Sequence, residues 1–227
     1  MQTDTVSLAD YRKTLIGWWE QNARDFPWRH DRSLYRTAVA ELMLRRTQAD
    51  QVVPVFEKFI REYPDLTAAA GADTKQLATL LYPLGLVWRA EGMIRFFQEA
   101  HSRFGNDLPL DRELLQSLPG VGDYVSAAAV CFAGNQQVPL IDTNVVRVLG
   151  RIFGLRYDGE ARRRAGMRRL ATMAVDLDRP ADYHYALLDF GARICIARKP
   201  RCQQCPFSTD ERCQYYREHT DYVENRI

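Results

Sequence analysis

The chain has 227 residues, 46% hydrophobic and 26% charged, with a formal net charge of +2. These values fit a folded globular protein and exclude a disordered or collagen-like one. The longest apolar stretch, Val125–Gly134, falls well short of the roughly 20 residues a membrane span needs. Asp4 and Asp10 stand where a secretion signal carries positive charge and then an apolar run, so a cytoplasmic protein is expected.

Apolar residues recur at helical spacing along most of the chain, and alternating β-type runs are scarce, so the expectation is an all-α fold. Ser7 caps a first helix carrying Leu8, Tyr11, Leu15, Trp18 and Trp19, and Pro27-Trp28 closes that unit. Helical patterns follow at about 33–44, 48–63, 74–82 and 88–104, punctuated by Pro64, Gly71, Pro83, Gly85 and Gly105. A short helix over Asp111–Leu118 leads through the turn LPGVG into Tyr124–Ala133. Asp142 then precedes a helix to about Gly150, with further helices near 159–176 and 180–194.

Three features carry chemistry. Among the 31 basic residues only Lys13, Lys58, Lys75 and Lys199 are lysines, so between 76 and 198 there is no amine nucleophile; the arginines offer planar forks suited to phosphate. The turn Leu118-Pro119-Gly120-Val121-Gly122 lets the backbone bend tightly at the start of a helix, where outward N–H groups bind a phosphate oxygen. Near the C-terminus Cys195, Cys202, Cys205 and Cys213 follow the spacing C-x6-C-x2-C-x7-C. Four thiolates this close in a cytoplasmic chain point to a structural metal, either zinc or an iron–sulfur cluster. Cys131, in AAAVCFAG, reads as a buried apolar residue.

Taken together, FPWR (26–29), ELMLRRTQ (41–48), LPGVGDY (118–124), IDTNVVRV (141–148), LLDFGARIC (187–195) and the cysteine array resemble one family. It is that of the helix–hairpin–helix base-excision DNA glycosylases with a C-terminal [4Fe–4S] loop, and the resemblance runs from about 15 to 217. It implies two helical subdomains with the active site in the cleft between them. One is a six-helix barrel over 22–136 that holds the hairpin at about 111–133. The other is an iron–sulfur cluster subdomain formed by 1–21 and 137–227. The resemblance favours the [4Fe–4S] cluster over zinc, and duplex DNA with a mismatched or damaged base as the partner of a monomeric, nucleoid-associated enzyme.

The same resemblance assigns roles. Breaking an N-glycosidic bond builds positive charge on the sugar, and Asp142 matches the carboxylate that stabilises it. Tyr124 stands where strand-cleaving members carry a lysine, which implies a monofunctional enzyme. Glu41 matches the acid that protonates the leaving base in adenine-specific members. Leu44-Arg45-Arg46-Thr47 and Gln48 form the segment that fills the hole left by a flipped base, with Arg46 at the intercalating position. Gly85-Leu86-Val87-Trp88 resembles the wedge loop, so Leu86 and Trp88 are DNA-contact candidates, as are Gly120, Val121 and Gly122 of the hairpin. His184 departs from the asparagine usual before Leu188-Asp189.

The RRT and FPWRH segments resemble the thymine/guanine mismatch type most closely, and the sequence running out soon after Cys213 leads to the expectation that the further domain of adenine-specific enzymes is lacking. The reading is therefore excision of thymine and uracil opposite guanine. The alternative is adenine excision from mispairs with guanine or 8-oxoguanine. A third reading, a non-catalytic lesion-binding module, conflicts with the presence of both Asp142 and Tyr124.

Overall fold

The computed structural model describes residues 6–85, 87–208 and 212–224, and among these it is helical without strands. None of the described helices is long and apolar enough to cross a membrane. The chain divides into two compact units, Asp25–Gln136 and the combination of Met1–Arg24 with Gln137–Ile227.

The unit Asp25–Gln136 carries eight of the helices. Pro27 does not end a helix but begins one: α2 is Pro27–His30, because a fixed φ and a missing N–H suit the first helical position. α3 (Leu34–Leu44), α4 (Ala49–Glu62), α6 (Thr74–Leu81) and α7 (Val87–Phe104) follow the apolar spacing. Between α4 and α6 lies the short α5, Leu66–Ala70, capped by Asp65 accepting from Ala68 N at 2.8 Å. Its five residues are too few to show a helical period in the sequence. α8 (Arg112–Gln116) and α9 (Asp123–Gly134) flank the LPGVG turn.

α9 is buried from Val125 to Phe132, and its small Ala127, Ala128 and Ala129 let α3 approach closely along Thr37–Met43. Elsewhere this core is aromatic. Phe26 stacks on Trp28 at 4.8 Å between ring centres, Trp28 meets Phe56 edge-on at 5.4 Å, and Phe59 stacks on Phe97 at 5.5 Å. Each buried ring of this size contributes about 2–3 kcal/mol by leaving water.

The second unit joins α1 (Leu8–Asn22) to α10 (Thr143–Phe153), α11 (Ala165–Ala174), α12 (Pro180–Arg193) and α13 (Gln214–Glu224). Ser7 Oγ accepts from Asp10 N at 3.1 Å, which starts α1. The expected helix near 159–176 is interrupted: a 3-10 turn over Ala161–Arg163 gives way to extended backbone at Arg164 before α11 begins. Tyr11 of α1 sits at the centre of the core, with ring centres 5.2 Å from Phe153 and 5.6 Å from Phe207. Asp189, buried on α12, accepts from Trp19 Nε1 at 3.1 Å and Arg24 N at 3.0 Å, so a carboxylate fixes the end of the first segment against α12.

Candidate active-site groups and the cysteine centre

In the Asp25–Gln136 unit, the hairpin is a tight turn closed by Val121 N donating to Leu118 O at 3.2 Å. Pro119 and Gly120 occupy its two central positions, and Gly120 has φ of +76°. That is the arrangement a type II turn requires, with proline fixing the first φ and glycine alone accepting the second without strain. Gly122 is different. Its φ of −92° is open to any residue, a Cβ there would meet no described atom within 4 Å, and as the N-cap of α9 it makes no side-chain cap hydrogen bond. Glycine at the cap thus offers that turn no side-chain acceptor, and a helix start favours an anion. Tyr124 follows in the first turn of α9, half-buried.

Glu41 is not a surface residue of α3: it is buried, with 7% of its surface exposed. On α9 the Cys131 thiol is fully buried, and burial first, then the charge of Glu41, pushes it up to about 12. α3 ends at Leu44 in a turn where Arg46 has φ of +58°, a left-handed conformation uncommon outside glycine. Arg46 is exposed, Thr47 half-buried and Gln48 exposed at the start of α4. Arg45 points back into its own unit, with Nη1 donating to Gly120 O at 2.9 Å. Leu86 lies outside the described residues, as does the side chain of Trp88.

In the other unit, Asp142 caps α10: Oδ1 accepts from Val145 N at 2.7 Å, and Oδ2 accepts from Asn144 Nδ2 at 2.9 Å. Asn144 is itself held, because its Oδ1 accepts from Arg147 Nη2 at 2.9 Å. Arg147 continues to the end of α12, donating to Gly191 O and Cys195 O, both at 2.8 Å. A Cβ on Gly191 would lie 3.2 Å from Asn144 Cβ and 3.3 Å from Arg147 Nη2, so glycine there gives this network room. Asn144 and Arg147 follow Asp142 at two and five residues, but no sequence pattern announces that they bond to one another. The departure at His184 also has a structural place. His184 is buried on α12 with Nε2 3.0 Å from Val138 O, on the segment leading to Asp142. Burial lowers it to about 4, so its ring is neutral at pH 7, and Nδ1 is a buried atom without a hydrogen-bond partner.

Cys195, Cys202, Cys205 and Cys213 line one small cavity together with Arg151, Ile152, Phe190, Ile194, Pro200 and Tyr215. Among the described residues no three His, Cys, Asp or Glu side chains gather closely enough to hold a single metal ion. Four thiols lining one cavity are a donor set that an iron–sulfur cluster accepts. Burial pushes the Cys205 thiol up to about 12 and Cys213 to about 11. A metal bound by such residues holds them as thiolates, so binding there would release their protons. Arg151, only 5% exposed, supplies a cation beside them. Its Nη1 donates to Ile196 O at 2.7 Å and lies 3.5 Å from Cys195 Sγ, Nη2 donates to Ala197 O at 2.9 Å, and the guanidinium sits 4.7 Å from the Tyr215 ring centre. The residues present fit an iron–sulfur cluster on chemistry and on shape.

Comparison with known proteins agrees with these observations. Residues 39–171 match the family described as HhH-GPD superfamily base excision DNA repair protein, and residues 195–210 match the iron–sulfur binding domain of endonuclease III. A thymine-DNA glycosylase of Aeropyrum pernix is 35% identical over 220 residues, covering 94% of this chain and 97% of that one. A thymine/uracil-DNA glycosylase of Pyrobaculum aerophilum is 32% identical over 218 residues, covering 93% and 94%. Among solved structures, a thermostable thymine-DNA glycosylase superposes with a TM-score of 0.86 at 32% identity, covering 93% of this chain and 97% of that one. With its glycine-started hairpin helix, its aspartate-capped α10 and its clustered cysteines, the chain belongs to the HhH-GPD superfamily of base excision DNA repair proteins.

Proposed function

We propose that this DNA glycosylase is monofunctional and hydrolyses the N-glycosidic bond of thymine, and of uracil, mispaired with guanine in duplex DNA, acting as a monomer. The observation that carries the reading is Asp142, whose carboxylate is held by Val145 N and Asn144 Nδ2 while each oxygen keeps a further lone pair for a cation. The thymine and uracil substrates are those named for the relatives above, and the Arg45-Arg46-Thr47 turn is this chain's own contribution to the choice. We assign 22–136 as the barrel subdomain bearing the hairpin, and 1–21 with 137–227 as the cluster subdomain.

The uncapped first turn of α9 takes a backbone phosphate on its N–H groups. Arg46, exposed on a strained turn, enters the stack where the target base has left and donates to O6 and N7 of the orphaned guanine. As the bond between C1′ and the pyrimidine N1 breaks, its electron pair leaves with the base and positive charge grows on the sugar. Asp142 stabilises that charge, an effect of about 3–4 kcal/mol for a well-placed electrostatic group. Glu41, buried in α3, supplies the proton that neutralises the departing base. A water oxygen then bonds to C1′ and releases its proton, leaving an abasic site. Tyr124 has no amine with which to form a Schiff base, so the strand stays intact. Cys195, Cys202, Cys205 and Cys213 would hold the [4Fe–4S] cluster, which would supply structural order to the loop.

The test is an oligonucleotide panel placing T, U or A opposite G, and A opposite 8-oxoguanine, with alkali cleavage to reveal abasic sites. Excision of T and U from pairs with G, with no nick before alkali and no adduct trapped by borohydride, is the expected result. Selective loss of A overturns the substrate assignment, and a borohydride-trapped complex of the unmodified chain overturns the monofunctional one.

A further inference from the structure

The Arg45–Gly120 hydrogen bond has a consequence for how the enzyme engages DNA. Arg45 is exposed at the end of α3, where an arginine beside a DNA-facing turn would be free to reach a phosphate. Its guanidinium turns back instead, and Nη1 donates to Gly120 O at 2.9 Å across 75 positions of sequence. Gly120 is the residue whose left-handed φ makes the hairpin turn possible, and Gly122, two residues on, opens the first turn of α9. A charged donor on that carbonyl fixes the orientation of the peptide leading into the phosphate-facing N–H groups. One residue beyond Arg45 the backbone is left-handed at Arg46, whose side chain is exposed. The guanidinium thus joins the segment that enters the base stack to the segment that grips the backbone.

We propose that Arg45 is a positioning residue that couples the Arg46 turn to the hairpin, so that phosphate binding and insertion occur as one event. This rests on the phosphate role of the hairpin given above. It predicts that Arg45 acts on affinity through Gly122 rather than through a phosphate contact of its own.

A double-mutant cycle on duplex binding separates the two cases. The four proteins are the parent, Arg45→Met, Gly122→Val and the double variant, each checked for an unchanged unfolding midpoint. Each single variant is expected to bind a T:G duplex about tenfold more weakly, and the double variant to lose little beyond the worse single one, because both break the same contact. The slope of log affinity against log salt should be the same for Arg45→Met as for the parent, since no counterion-releasing contact is lost. At saturating enzyme, Arg45→Met should also excise thymine more slowly, with Arg45→Lys restoring part of the rate through its charged ammonium donor. If Arg45→Met does not fold, Arg45→Lys takes its place in the cycle with a smaller loss. A roughly hundredfold, multiplicative loss in the double variant together with a salt slope smaller by about one would make Arg45 an independent phosphate ligand and overturn the coupling. Arg45→Met with parental affinity and rate overturns it too, leaving the hairpin intact. Parental binding by Gly122→Val overturns the hairpin reading itself, and the coupling with it.

Discussion

Helix α9 starts behind Gly122, which makes no side-chain cap bond, whereas α10 starts behind Asp142, whose Oδ1 accepts from Val145 N at 2.7 Å. Every α-helix leaves unpaired N–H groups at its start, and the residue at the cap decides what satisfies them. Glycine at α9 brings no side-chain acceptor, and a helix start of that kind favours an anion. Aspartate at α10 satisfies the end from within and keeps lone pairs free, so the same kind of helix start now presents negative charge. One end is suited to a phosphate and the other to a developing sugar cation. The difference rests on one side chain at each position.

The largest expected effect removes the charge and keeps the cap. Asp142→Asn should retain the bond to Val145 N while slowing single-turnover excision by roughly 10²–10³-fold. Binding to the mismatch should be unaffected, because it does not require a cation on the sugar. An Asp142→Asn protein excising at the parental rate would show that α10's carboxylate is only a cap.

Next comes the approach to that cap. His184 is held by Val138 O and lowered to about 4 by burial, so it must stay neutral in the folded protein. A histidine whose folded pKa is depressed destabilises the fold as pH falls below its unfolded value near 6.5, until pH reaches the folded value. Between pH 7 and 5 this group should remove about 2 kcal/mol of stability. Denaturant midpoints measured at both pH values for the parent and His184→Gln would check it, with the variant losing that part of the pH dependence. Equal pH dependence in both proteins would show that His184 titrates normally.

At α9 the expected effect is smaller. A Cβ at Gly122 meets nothing within 4 Å and the φ of −92° suits any residue, so Gly122→Val should fold as the parent does. Weaker duplex binding, by about tenfold or 1.4 kcal/mol, would then report the approach of phosphate to backbone rather than damage to the protein. The smallest effect sharpens the capping half of the comparison. Asp142→Ala should unfold about 1 kcal/mol more easily than Asp142→Asn, since only asparagine still accepts from Val145 N. Thermal or denaturant melts of the two variants side by side would measure it.

The amino-acid sequence by itself determined what depends on neighbours along the chain. The turn at Pro119-Gly120 follows from two backbone dihedrals that those residues prefer, and the helix start behind Asp142 follows from a cap three residues before the N–H it accepts. The cysteine spacing needed no fold to suggest a metal. Local reading failed where the same residue serves two local purposes or a helix is too short for a period: Pro27 starts α2 where it was expected to stop a helix, and Leu66–Ala70 gave no signal. Only the tertiary structure decided which distant groups meet. Arg45 reaches Gly120 across 75 positions, Arg147 reaches Cys195 across 48, and Arg151 reaches Ile196 and Ala197 across 45 and 46. The burial of Glu41 and His184 was decided in the same way. The physical reason is that a long cationic side chain can find any carbonyl within its reach, and which carbonyl that is depends on how α3 packs on α9 and α10 on α12, a choice made by the apolar core and not by the arginine.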